Sequence, residues 1–329
     1  MLRFTLYLLI MLLVVTFGRA EAQQTQPPQN GRIAFVSNRS GNDQIYTMND
    51  DGTDIQQITF DGWSNIDPNW SPDGSRIAYV SRGSGILSIN IIDSDGLNNT
   101  TLTNVADVDP NWSPTGDKIA FSRYTDNGSD IYIINTDGSG LTKVVDGHNA
   151  AYNIQPTWSP DGTHLLYVYN TKLSGEPRSS FKIRIVDLAT GQESTIYAVN
   201  TEAGPDWSGQ QQSEEILIYY NGLTGSFIVR LDDDGTTLPG IAVTTQSDPF
   251  VGTTSRYDRD PSWSPDGTQV VFSTSISGIN DGDSDIYVVD IASGTMTNLT
   301  PNNDSEEIMP DWQPVFNDPP STDAGTDPH

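Results

Sequence analysis

Short apolar runs alternate with turn signals along most of the chain, and their order repeats. One module reads Arg76-Ile77-Ala78-Tyr79-Val80, a Gly/Ser loop, Leu87 to Ile92, the turn Ser94-Asp95-Gly96, and Thr101-Leu102-Thr103. With the stretch around Trp70 ahead of them, these are four short extended runs separated by three turns. Asp-Gly between apolar runs favours a hairpin. Ser-Pro-Asp-Gly suits a tight turn because Pro presets φ and Gly tolerates the last position. Neighbouring strands are therefore predicted to run antiparallel. The runs Ile33-Ala34-Phe35-Val36, Ile119-Ala120-Phe121 and Ile286-Tyr287-Val288-Val289 do not alternate cleanly between apolar and polar, so both faces of each sheet are expected to be covered.

Tryptophan returns at 70, 112, 158, 207, 263 and 312, each time inside a variant of Pro-x-Trp-Ser-Pro-Asp-Gly. Self-similarity at this period signals a repeat architecture, and four-stranded sheets covered on both faces are the units of a propeller. The six motifs predict an all-β, six-bladed β-propeller of four-stranded antiparallel blades, with one Trp wedged between each pair of sheets. The first module starts at Gly31-Arg32-Ile33 without a Pro-x-Trp strand, and Met309-Pro310-Asp311-Trp312-Gln313-Pro314 has no strands after it. Together they make one whole blade. Asp311 to Gln313 is expected to pair with Arg32 to Ser37, closing the ring and leaving no open sheet edge.

Residues 4–17 are almost wholly apolar, follow Arg3 and lead to Ala20-Glu21-Ala22, the pattern of a secretory signal peptide cleaved after Ala22. An uncleaved anchor is the alternative, although the run is short for a membrane span. Residues 23–30 then read as a linker, 31–314 as the propeller and 315–329 as a disordered Pro/Asp-rich tail. The expected product is a monomer in the periplasm or outside the cell, with no stable membrane insertion. The chain has no cysteine, which excludes disulfides, thiolate metal sites and cysteine nucleophiles. Its net charge of −27 makes nucleic acid an unfavourable partner.

In a four-stranded antiparallel blade, the second loop and the link to the next blade share one rim. The long segments Asn170 to Ser180, Ser275 to Asp285 and Pro239 to Asp258 all fall there, which makes that rim the expected binding side. Asp67, Asp109, Gln155 and Asp260 each precede the Pro of an innermost strand and should ring the channel mouth. Their carboxylates either cap loop amides or contact a ligand. Arg39, Arg82 and Arg123 recur where the second strand reaches the same rim, and Arg256 lies in a long link. These arginines either pair with the neighbouring acids or capture a ligand carboxylate.

Neither Gly-x-Ser-x-Gly nor His-Glu-x-x-His occurs, and the chain has three histidines, so no catalytic role is expected. Asp281, Asp283 and Asp285 alternate like the start of a calcium loop but lack its closing Glu. A polar loop and a calcium site are the two readings, and no other cofactor is expected.

The pattern Asp-x-x-Pro-x-Trp-Ser-Pro-Asp-Gly-x-x-Ile-Ala-Phe, followed by Asp130-Ile131-Tyr132 or Asp285-Ile286-Tyr287 and by Leu299-Thr300, resembles the WD40-like PD40 repeat of TolB-family propellers. The resemblance spans about residues 31–314 and degenerates at Gly204-Pro205-Asp206-Trp207-Ser208-Gly209. It implies an exported six-bladed propeller that binds protein segments of the cell envelope at its channel mouth. The α/β domain that precedes the propeller in TolB is expected to be missing here. The expected function is non-enzymatic binding of a protein or peptide partner. A carbohydrate-binding or carbohydrate-active envelope protein is the alternative, and a purely structural envelope role is a third.

Overall fold

Hairpin chemistry written into the repeat sets the architecture. At the Ser-Pro-Asp-Gly turn, the Asp73 carboxylate accepts from the Ser71 hydroxyl (2.6 Å) and from the amide and hydroxyl of Ser75 (3.1 and 2.8 Å). The Ser71 hydroxyl accepts from the Arg76 amide (3.0 Å), and Gly74 takes a left-handed φ of 66°. The same side-chain clasp recurs between Ser113 and Asp117, Ser159 and Asp161, and Ser264 and Asp266.

The computed structural model describes residues 29–147, 151–171, 180–199, 203–207, 216–222, 225–231, 256–276, 283–301 and 304–315. The chain opens with β1 (Gln29–Ser37), β2 (Gln44–Met48) and β3 (Gln56–Gln57). A second sheet contains β4 (Asn65–Trp70), β5 (Arg76–Ser81), β6 (Ser88–Asp93) and β7 (Thr100–Thr101). Two further four-strand units follow, β8 (Asp107–Trp112), β9 (Lys118–Thr125), β10 (Gly128–Asn135) and β11 (Thr142–Val145), then β12 (Ala151–Trp158), β13 (His164–Thr171), β14 (Ser180–Asp187) and β15 (Glu193–Val199). Next come β16 (Ala203–Trp207), β17 (Ile216–Gly222) and β18 (Gly225–Leu231), and then β19 (Arg256–Trp263), β20 (Gln269–Ile276), β21 (Ser284–Asp290) and β22 (Met296–Asn298). The final strand β23 (Glu307–Val315) returns to β1. Ile33 faces Trp312 and Ala34 faces Asp311 in an antiparallel ladder. The fold is all-β and propeller-like.

Two features depart from independent four-stranded sheets. The units β8–β11 and β12–β15 merge into one eight-stranded sheet through a parallel pairing of Ser129 with Tyr152. Gly128 permits that approach, since a Cβ there would collide with the Ala151 carbonyl oxygen. The Ser129 hydroxyl then donates to the Asn153 carbonyl (2.8 Å), and the Asn153 amide returns a bond to the Ser129 carbonyl (3.1 Å). The unit β16–β18 has three strands among the described residues.

Trp70, Trp112, Trp158, Trp207 and Trp312 each pack on the sheet or unit before their own. Trp70 joins Ala34, Val36 and Ile45 of the first sheet, and Trp112 joins Ala78, Ile89 and Ile91 of the second. Trp158 packs with Ala120, Ile131 and Val145, while Trp207 lies against Leu166, Val168 and Ile183. Trp312 of β23 joins Val271, Ile286, Val288 and Leu299 of the β19–β22 sheet. The first sheet is therefore flanked by the second sheet and by the β19–β22 sheet. Outer strands are tied down by Thr59, Thr103 and Thr300, whose hydroxyls accept the amides of Ile45, Ile89 and Ile286 at 2.9, 3.1 and 2.9 Å. Among the described residues no helix is long and apolar enough to cross a membrane.

Candidate functional site

The innermost strands β4, β8, β12, β19 and β23 break register at the residue before their proline, whereas β16 runs unbroken through Gly204 and Pro205. Asp67, Asp109, Gln155, Asp260 and Met309 have φ of 53°, 54°, 53°, 52° and 54°, and the ladders skip between Ile66 and Asn69, Val108 and Asn111, Ile154 and Thr157, and Arg259 and Ser262. Left-handed backbone is unfavourable for residues with a Cβ, and Asp tolerates it better than most. A bulge of this kind re-aims a side chain. Here the bulged residues, the following prolines, and the residues after them line a common cavity of about 170 Å³.

Two polar belts that link neighbouring units result. In the upper belt, the Asp109 carboxylate accepts the Gln155 amide (3.0 Å), while the Asp67 carboxylate faces the Asp109 amide and the Asp260 carboxylate faces the Met309 amide. Asp109 also accepts from the Ser122 hydroxyl (2.8 Å). The lower belt uses the residue after each proline. Asp311 accepts from the Trp70 amide (2.6 Å), Asn69 from the Trp112 amide (2.9 Å), Asn111 from the Trp158 amide (3.1 Å), and Asp206 from the Trp263 amide (3.0 Å). Ser262 donates to the other Asp311 oxygen at 3.1 Å. Each bond crosses from one unit to another, and the Asn111–Trp158 bond does so within the eight-stranded sheet.

Burial in this channel raises the carboxyl pKa values. Asp67 is pushed up to about 8, by burial first and then by Asp109 and Asp260. Asp206 and Asp311 each rise to about 7, and Asp109 rises as well, all chiefly through burial. Asp260 reaches about 6, because the Arg259 charge offsets part of the burial.

The arginines are positioned differently from one another. Arg39 pairs with Glu307 (2.9 Å) and lies over the Phe35 and Tyr46 rings. Arg123 makes a bidentate pair with Asp107 (2.7 and 2.8 Å) over Phe121 and Tyr132. Glu307 and Asp107 are wholly buried, and burial pushes Glu307 up to about 7 despite Arg39. Arg82 is exposed, and its charge opposes the rise of Asp67. Its amide donates to the Ser64 carbonyl, as the Tyr124 amide does to Ala106 (2.9 Å each), so second loops and links do share one rim. Arg256 opens β19 opposite Ile276, and its side chain lies outside the described residues.

Asp281 of the candidate calcium loop also lies outside the described residues. Asp285 binds the Asn298 amide group (3.0 Å) and the Thr300 hydroxyl (3.3 Å), tying β21 to β22. No cluster of three or more metal-binding side chains is found among the described residues. The residue after each motif proline, the buried acids Asp107 and Glu307, and Tyr124 at the mouth are functional candidates that the motif reading passed over. The polar character of Asn69, Asn111, Thr157, Asp206, Ser262 and Asp311, all in Pro-x-Trp, was the available signal.

Curated relatives match in part. TolB of Geobacter sulfurreducens is 44% identical over 50 residues, 15% of this chain and 12% of its own. A TolB homologue of Chlorobium luteolum is 29% identical over 160 residues, 49% of this chain and 35% of its own. The matched stretches thus span about a third or less of those relatives. Among solved structures, TolB from Acinetobacter baumannii superposes with a TM-score of 0.68 at 18% identity, covering 86% of this chain and 66% of that one. A chain of the nidogen/laminin complex gives 0.63 at 10% identity, covering 86% and 98%, and at these identities the likeness is one of fold. The TolB beta propeller domain family (PD40) matches residues 17–109 and 104–273, and the chain belongs to that family.

Proposed function

We propose that the protein is a non-enzymatic, exported propeller whose six blade units close into a ring and whose channel mouth binds a segment of a protein partner in the cell envelope. The observation that carries this reading is the convergence of Asp67, Asp109, Asp206, Asp260 and Asp311 from five sheets on one cavity. Single functional groups from many sheets meeting at one point make a composite recognition site. The cavity is too small for a folded domain and of a size to take a side chain or a short loop. The relatives' name, Tol-Pal system protein TolB, supports an envelope partner, and the apolar stretch at residues 4–17 supports export.

The test is capture of a partner from the envelope fraction of the native cell on immobilised protein. Wild type is compared with Asp260→Asn at the mouth and with Asp137→Lys in an exposed hairpin turn on the opposite rim. The partner should be retained by Asp137→Lys and lost or weakened with Asp260→Asn at an unchanged melting temperature. Equal retention by both variants would contradict the assignment of the mouth.

A further inference from the structure

We propose that Phe60, Trp63, Ile86 and Tyr124 form an apolar step beside the mouth that docks an extended partner peptide, whose Lys or Arg faces Asp67 and Asp109 while its apolar side chains cover the step. The inference rests on the binding role proposed for the mouth and specifies the chemistry of its partner.

Phe60, Trp63, Ile86 and Tyr124 are 73%, 50%, 49% and 42% exposed. Isolated exposed apolar residues are ordinary, but a cluster at one rim marks an interaction surface. Three of these four lie together on one link and the loop packed against it. The Asp61 carboxylate accepts the Trp63 amide (3.2 Å) and the Asn65 side-chain amide (2.8 Å), fixing the turn that presents the indole. Loop residues 82–87 back onto this turn through the Arg82–Ser64 bond, and a Cβ at Gly83 would lie 3.7 Å from the Trp63 ring. The Ile86 amide folds the loop back onto the Gly83 carbonyl (3.1 Å).

Tyr124 joins the step to the acids. Its ring meets Tyr152 edge-on at 6.5 Å, and the charges of Asp109 and Asp67 add to burial in raising its phenol pKa. Trp and Tyr are the side chains most often found to anchor interfaces.

Charge selects the partner. Arg39 and Arg123 are already engaged by Glu307 and Asp107, and Arg82 offsets Asp67 only in part. The acids of the cavity hold protons, which an entering cationic side chain would displace to pair with the carboxylates. Its volume of about 170 Å³ suits one such side chain.

The test is selection of a phage-displayed random 12-residue peptide library on the protein, followed by affinity measurement of the recovered peptides. Recovered sequences should interleave Lys or Arg with aromatic or aliphatic residues. Their binding should weaken about tenfold or more on Phe60→Ser/Trp63→Ser and on Asp67→Asn/Asp109→Asn. If the aspartate variant does not fold, loss of wild-type binding at high salt reads the same charge. Peptides that need the aspartates but ignore Phe60→Ser/Trp63→Ser would overturn the apolar step while leaving the mouth as a binding site. Peptides indifferent to both variants, or no enrichment, would overturn both.

Discussion

Asp311 shows how one side chain serves two sheets. It accepts the Trp70 amide and the Ser262 hydroxyl from opposite sides, although its carboxyl is pushed up to about 7 by burial. Replacing it by Ala removes the acceptor from two partly buried donors, at a cost of about 1–3 kcal/mol for each one left unsatisfied. Denaturant unfolding of Asp311→Ala should show a loss in that range, with the larger part restored in Asp311→Asn, which keeps one acceptor oxygen. Arg123 makes the sharper case. Its partner Asp107 is completely buried, so Arg123→Ala strands a charge and should cost about 3–5 kcal/mol. A surface role for Arg123 would instead leave stability within about 0.5 kcal/mol of wild type.

At the scale of elements, the turn between β4 and β5 touches β23. The Gln313 side chain donates to the Gly74 carbonyl (2.7 Å) and accepts the Arg32 amide (3.0 Å), linking the turn to both β23 and β1. Gly74→Ala would place its Cβ 2.5 Å from the Pro314 carbonyl oxygen in a left-handed backbone. It should destabilise by about 1–3 kcal/mol, whereas Gly41→Ala, which is also left-handed but has open space around it, should suffer the backbone strain alone. A melting temperature equal for the two variants would show that the turn and β23 are not in contact.

The hairpins were legible because Pro, Asp and Gly act locally, and the pairing of β23 with β1 was legible because the terminal modules are complementary halves. The merged sheet was not, since the close approach at Gly128 depends on where two distant strands meet. The motif also placed Asp67, Asp109, Gln155 and Asp260 at the mouth, yet it was silent on the partners of Arg39 and Arg123. Those acids, Glu307 and Asp107, lie 268 and 16 residues away in sequence, and each stands five residues before a motif tryptophan, outside the Pro-x-Trp stretch on which the motif reading rested.

For the whole molecule, the channel makes stability depend on pH. Asp67, Asp206, Asp260, Asp311 and Glu307 have carboxyl pKa values raised to between about 6 and about 8. The folded protein therefore holds protons that the unfolded chain releases above about pH 4. This stabilisation is complete below the unfolded values and is lost as pH rises through the folded ones. The melting temperature should fall between pH 5 and pH 8, and Asp67→Asn should flatten that slope. Turn aspartates such as Asp51 and Asp137 have lowered pKa values and act oppositely, but in the more acidic range. A melting temperature that rises from pH 5 to pH 8 would contradict a proton-holding channel.

The binding side, the belts and the acidic cavity all depend on the last strand completing the first sheet. Gln29 and Val315 are register partners at the far end of that ladder, and the chain has no other thiol to compete with an introduced pair. Oxidation of the double variant Gln29→Cys/Val315→Cys, read by thiol titration and non-reducing electrophoresis, should give a near-complete intramolecular disulfide and a raised melting temperature. Free thiols after oxidation, or crosslinked dimers in place of the monomeric product, would show that β1 and β23 do not pair.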